Sequence, residues 1–193
     1  MTREPLVPAD QAPDAPPWSV DQWFGAPADF GLEGLRGRVV ALHTFQMLCP
    51  GCVTHGLPQA QRIRATFSAE DVAVVALHTV FEHHDAMRPV SLAAFLHEYR
   101  IHFPVGVDSA SESGPVPQTM ARYGLRGTPS MVLIDREGRL RFHAFGRPED
   151  MLVGAGIASL LAEPALDGLG GAGRPLVAVE DAGPGCDEAG CSA

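Results

Sequence analysis

Two short apolar runs constrain the fold of this chain more than any other feature. Residues 38–45 (RVVALHTF) and 72–78 (VAVVALH) are rich in β-branched and aliphatic side chains and almost continuously apolar. That is the pattern of strands covered on both faces. The stretch between them, 50–67, reads as a helix. Pro50 falls at a first-turn position where its missing N–H costs nothing, and Pro58 is expected to kink the helix. Downstream come a polar loop over 81–89, a helix over 92–100, a short strand over 103–107 and a short helix over 118–123. Residues 130–135 and 140–145 form a hairpin across Arg136-Glu137-Gly138-Arg139, and a last helix spans 149–161. The order β-α-β-α-β-α-β-β-α predicts an α/β/α sandwich on a central mixed sheet, with parallel strands inside and an antiparallel hairpin at one end.

A length of 193 residues suits one domain with extensions. With 46% apolar and 19% charged residues the chain can bury a core. Its 21 glycines and 17 prolines gather at the two ends. Residues 1–20 therefore read as a Pro-rich, poorly ordered extension, 21–163 as the domain, and 164–193 as a Gly/Pro-rich flexible tail carrying Cys186 and Cys191. The net charge of −9 lacks the basic footprint that nucleic acid requires and is repelled by anionic membranes, so neither is an expected partner. No apolar run approaches transmembrane length. The first twenty residues hold five prolines and three acidic groups and resemble no signal peptide. A cytoplasmic location is the resulting expectation. In a reducing compartment, cysteines serve catalysis or metal binding more often than cross-linking.

The chemistry centres on Cys49-Pro50-Gly51-Cys52, placed between the end of the first buried strand and the start of its helix. Amides and partial positive charge at a helix N-terminus stabilise an anion, so a Cys49 thiolate is favoured there. Cys52 lies near enough to close a small-loop disulfide. Attack by Cys49 on a substrate disulfide gives a mixed disulfide, which Cys52 resolves. The alternative is half a zinc site, completed by Cys186 and Cys191 or by histidines.

Three further stretches carry a family likeness: Leu35-Arg36-Gly37-Arg38-Val39-Val40 leading to CPGC, Tyr123-Gly124-Leu125-Arg126-Gly127-Thr128-Pro129-Ser130, and Leu133-Ile134-Asp135-Arg136-Glu137-Gly138. Over residues 23–162 the chain resembles the thioredoxin-like redoxin superfamily, nearest the TlpA-type disulfide reductases and the related AhpC/TSA group. The resemblance implies a cis Thr128–Pro129 peptide facing the cysteines, beside which substrate backbone docks. It also sets Leu48 where TlpA-like proteins carry Trp, and Pro58 nine residues after Cys49 instead of eight, which implies an altered first turn. His43 falls where thioredoxins carry a buried aspartate. It is read either as the acceptor of the Cys52 proton, since imidazole titrates near neutrality, or as a packed core histidine.

Other residues carry weaker signals. His55, three beyond Cys52, is placed to share its face. His83-His84-Asp85 follows the second strand and falls near the CPGC rim, as a polar loop or a metal site. Cys186 and Cys191 are open to electron shuttling, metal binding or no role. Gly168–Gly173 matches G-x-G-x-x-G without the strand–turn–helix context of a dinucleotide site.

The expected activity is thiol-disulfide exchange, as a reductant, with no cofactor. Partners are a disulfide-containing protein or small-molecule disulfide, and an upstream donor such as a thioredoxin reductase or glutathione system. The first alternative is a thiol peroxidase, weakened because Gln46 stands where peroxiredoxins carry Thr or Ser. The second is a Sco-like copper carrier using both cysteines and His143, weakened by the C-x-x-C spacing.

Overall fold

The computed structural model describes residues 6–164. Among them, six strands form one mixed sheet in the order β1-β4-β3-β2-β5-β6. They are β1 (Val20–Phe24), β2 (Val39–Phe45), β3 (Val72–His78), β4 (Val105–Asp108), β5 (Ser130–Ile134) and β6 (Leu140–Phe145). Strands β2, β3 and β4 run parallel, as the helical crossovers between them require. Hairpin β5–β6 extends the sheet antiparallel beside β2. At the other edge β1 pairs antiparallel with β4. This strand has no counterpart in the sequence reading, whose first strand is the run 38–45.

Every residue of β2 and β3 is buried because both sheet faces are covered. On one face Val39, Ala41 and Phe45 of β2 meet α1 (Leu57–Thr66), α2 (Pro89–Glu98) and α4 (Asp150–Ala162) through Leu57, Ile63, Leu92 and Ile157. On the other, Val40 and Leu42 pack with Leu32, Leu35 and, from α3 (Gln118–Arg122), Met120. The three-layer α/β/α sandwich follows from that two-sided burial. By the period of two along a strand, His43 and His78 belong to the face that carries α1.

The helix over 50–67 differs from the sequence reading. Residues Cys52–Gly56 form a π-helical turn, in which the Leu57 N–H bonds to Cys52 O, and α1 proper starts at Leu57. Pro58 therefore sits in the first turn of α1 and does not kink its interior. In a continuous α-helix the Pro58 ring would strike the carbonyl of Thr54. Widening the turn by one residue avoids that clash and absorbs the extra residue before the proline.

The N-terminal extension also needs correcting. From Leu6 onward it lies along the β5–β6 hairpin, with Val7 N–H bonded to Arg141 O at 2.7 Å and Leu140 N–H to Pro13 O at 2.8 Å. Ala15 is buried, and Trp18 packs with Trp23 and Phe30. Proline-rich composition suits this segment because an extended strap needs few backbone donors. A charge network beneath it joins Asp135 to Arg139 at 2.8 Å and to Arg141 at 3.0 Å, and Arg141 to Glu163 at 2.6 Å. Arg141 Nε also donates to Val7 O at 2.6 Å. One guanidinium thus ties together the strap, the hairpin and the end of α4.

Replacing Arg141 with Met should lower the unfolding free energy by about 3 kcal/mol, because the buried Asp135 and the Val7 carbonyl each lose a partner. Urea denaturation checks this, and a change near zero would show that the network adds nothing to stability.

Candidate active site

Cys49 and Cys52 are both free thiols, but their surroundings differ sharply. Cys49 is half-buried on the rim of an open cleft, whereas Cys52, the first residue of the π-turn, is fully buried. The Cys52 N–H donates to Cys49 Sγ at 3.3 Å, so a backbone amide of the opening helical turn already points at the accessible sulfur. Cys49 Sγ in turn lies 3.6 Å from Thr128 O, to which its thiol donates. Burial pushes the Cys52 thiol up to about 12, reinforced by its hydrogen bond with Cys49 and opposed by contacts with Gln46 and Thr128. An accessible sulfur and a buried, protonated one are the two parts that stepwise disulfide exchange requires.

The Thr128–Pro129 peptide is cis, as the family resemblance implies. Its proline packs onto the helix that carries the cysteines. A Cβ added at Gly51 would lie 3.5 Å from Pro129 Cδ, and one added at Gly56 would lie 3.0 Å from Pro129 Cβ. The hypothetical Gly56 Cβ would also lie 3.3 Å from His43 Cε1. Gly56 is therefore the spacer that lets α1's entrance, the cis-proline loop and His43 close on one another. Sequence reasoning passed over Gly56. Its signal was a glycine one turn past the second cysteine, in a stretch otherwise suited to helix.

His43 is buried to about 1% exposure, and burial lowers its pKa to about 4. Gln59 favours the charged ring, yet neither His43 ring nitrogen has a hydrogen-bond partner, and the Gln59 amide nitrogen donates to Pro148 O and Asp150 Oδ1 at 2.8 Å each. The expectation of a base titrating near neutrality thus meets an imidazole held neutral by its dry surroundings. His78, which sequence reasoning treated only as a strand end, is also buried and lowered to about 4 by burial. Its Nε2 accepts the Met47 N–H at 3.4 Å, and its ring packs on Phe45. It therefore braces the segment leading into Cys49.

The remaining sequence candidates scatter. His55 is exposed while Cys52 is buried, since the widened turn rotates the two off a common face. Gln46 is buried at the Cys49 cleft, its side chain accepting from Phe81 N at 3.2 Å and donating to Glu82 at 3.4 Å. His83 reaches the rim of the Cys49 cleft. Among the described residues, no group of three or more His, Cys, Asp or Glu side chains is placed to hold a metal ion together, which applies to His83, His84 and Asp85 and to the cysteines with His143. Cys186, Cys191 and the glycine motif at 168–173 lie outside the described residues. No described helix is long and apolar enough to cross a membrane.

No family model matches the chain, and no curated protein matches it. Solved structures do. The crystal structure of a thioredoxin-like superfamily protein is 57% identical over 80% of this chain and 100% of its own, with a TM-score of 0.78. A thiol-disulfide isomerase from Corynebacterium glutamicum is 46% identical over 80% of this chain and 99% of its own, with a TM-score of 0.76. A Chlorobium tepidum protein described as a candidate thiol:disulfide interchange protein DsbE is 25% identical over 77% and 96%, with a TM-score of 0.60. Sheet, cysteine pair and proline loop together define a thioredoxin-type redox protein. The chain belongs to the thioredoxin-like superfamily.

Two outcomes follow from the buried histidines and the spacer glycine. Unfolded, each histidine takes a proton near pH 6.5; folded, only near pH 4. The unfolded chain therefore binds more protons between those values. Stability should be full above about pH 6.5 and fall by roughly 3 kcal/mol per histidine as the pH drops toward 4. In His43→Leu about half of that loss should disappear from urea midpoints measured across the range; an unchanged slope would contradict the assignment. Gly56→Ala should cost about 1–3 kcal/mol through overpacking against Pro129 and His43, read as a lowered thermal midpoint.

Proposed function

We propose that this protein is a thiol-disulfide oxidoreductase acting as a reductant through its Cys49–Cys52 pair. The observation that carries this reading is the asymmetry of the two sulfurs beside the Thr128–Pro129 loop. Cys49 attacks a substrate disulfide, forming one S–S bond and releasing one thiolate. Cys52 then attacks the Cys49 sulfur of the mixed disulfide, and the second substrate sulfur departs. Two electrons pass to the substrate, the protein is left as the Cys49–Cys52 disulfide, and the proton lost by Cys52 is balanced by protonation of the leaving thiolate. A disulfide-containing protein or small molecule is the substrate, and a cellular dithiol system restores the pair. No organic cofactor enters these steps.

The reducing direction is that of a dithiol kept reduced by a surrounding thiol pool, which is the setting proposed for this pair. Burial keeps Cys52 protonated until it attacks. His43 is assigned here to packing beneath Gly56 and Pro129. It is too weak a base to assist a thiol pushed up to about 12.

Insulin reduction in dithiothreitol tests the activity. The wild type should accelerate it, Cys49→Ser should abolish the acceleration, and Cys52→Ser should accumulate a mixed disulfide visible by mass spectrometry. Rates equal to the dithiothreitol background for every disulfide offered would overturn the reading. Resolution should quicken roughly tenfold per pH unit between 7 and 9 as the small thiolate fraction of Cys52 grows. A flat profile in stopped-flow would place another group in control of that proton.

A further inference from the structure

The cleft beside Cys49 has features that disulfide exchange alone does not explain. It has a volume of about 360 Å³, and Leu48, Phe81 and Met87 line it together with Cys49, Thr128 and Glu82. That volume lies at the lower end for small-molecule sites. The wall is tied to the nucleophile through Gln46. The backbone carbonyl of Gln46 accepts the Cys49 N–H at 3.1 Å, and its buried side chain accepts from Phe81 N and donates to Glu82 Oε1. A single residue thus holds both the reactive sulfur and the carboxylate of Glu82 on the same cleft. Among the described residues Glu82 has no ion-pair partner, since the next guanidinium along this loop, Arg88, is engaged by Asp85.

We propose that Glu82 selects substrate by charge, and that the cleft takes a low-molecular-weight disulfide bearing an ammonium group a few bonds from its sulfur. This rests on the thiol-disulfide exchange reading and names its substrate class. With one sulfur of such a disulfide against Cys49, the short apolar link lies along Leu48 and Phe81 and the cation meets Glu82. Exchange then proceeds as above. Cys49 bonds to one substrate sulfur, one aminothiol leaves with a proton, Cys52 displaces the second, and the pair is left oxidised. An anionic disulfide placed the same way brings like charges together.

The test uses the full chain, pre-reduced and freed of excess dithiothreitol, at low ionic strength. Loss of protein thiols is followed with cystamine (cationic), bis(2-hydroxyethyl) disulfide (neutral) and dithiodiglycolate (anionic). Each rate is divided by that of dithiothreitol with the same disulfide to remove intrinsic reactivity. The wild type should prefer cystamine to dithiodiglycolate by about tenfold. Glu82→Gln, or 0.5 M salt, should shrink that ratio by roughly three- to tenfold, because the attraction is a screened charge pair at a solvated rim. A ratio unmoved by Glu82→Gln while the neutral disulfide still reacts overturns the role of Glu82 and leaves disulfide exchange standing. Failure to react with any disulfide overturns the exchange reading itself. A lysine-containing peptide disulfide reacting far faster than cystamine overturns the small-molecule occupant.

Discussion

The structure depends on the close packing of Gly56 between the Pro129 ring and His43. A side chain as small as a methyl at position 56 would press on both neighbours. Because it is absent, the helix entrance settles onto the sheet and the proline loop settles onto the helix. Cys52, in the same π-turn as Gly56, is fully buried, while Cys49, three residues earlier, stays at the edge of the cleft. The chemical difference between two identical side chains is therefore a consequence of packing. One sulfur keeps access to solvent and an amide N–H. The other loses water, and with it any easy route to ionisation.

Much of the scaffold is legible in the sequence because buried parallel strands leave a strong signature. Residues 39–45 and 72–78 have no solvent face to encode, so they read as nearly continuous apolar runs. The hairpin is equally plain, marked by Gly138 at positive φ in a polar turn. Edge strand β1 is not legible in this way. Its VDQWF mixes exposed and half-buried positions, and its partner lies more than eighty residues away. The ordered strap of residues 6–19 was hidden for a related reason. Its order comes from Arg141 and the hairpin backbone, long-range partners that composition cannot show.

At the site, residue identity was legible and environment was not. CPGC announces itself by its spacing, while Thr128-Pro129 and the proline one place late, with its changed first turn, came from the family resemblance. The form of that change, a π-turn that relieves Pro58 and buries Cys52, needed the three-dimensional path. His43 shows the same limit. Its candidacy came from the family resemblance, but the shift of its pKa to about 4 comes from burial, with Gly56 of the π-turn packed close against the ring. Gln46 and Glu82 acquire meaning only when the loop after β3 folds back over the end of β2.

The central claim is the division of labour between the two sulfurs, and timed alkylation measures it directly. Reduced, native protein is pulsed with iodoacetamide at neutral pH, and labelling at each cysteine is read by peptide mass spectrometry. Cys49 should be labelled at least a hundredfold faster than Cys52, with Cys52 becoming reactive only when the protein is unfolded in urea. Equal labelling of the two in the native protein, or faster labelling of Cys52, would contradict the account.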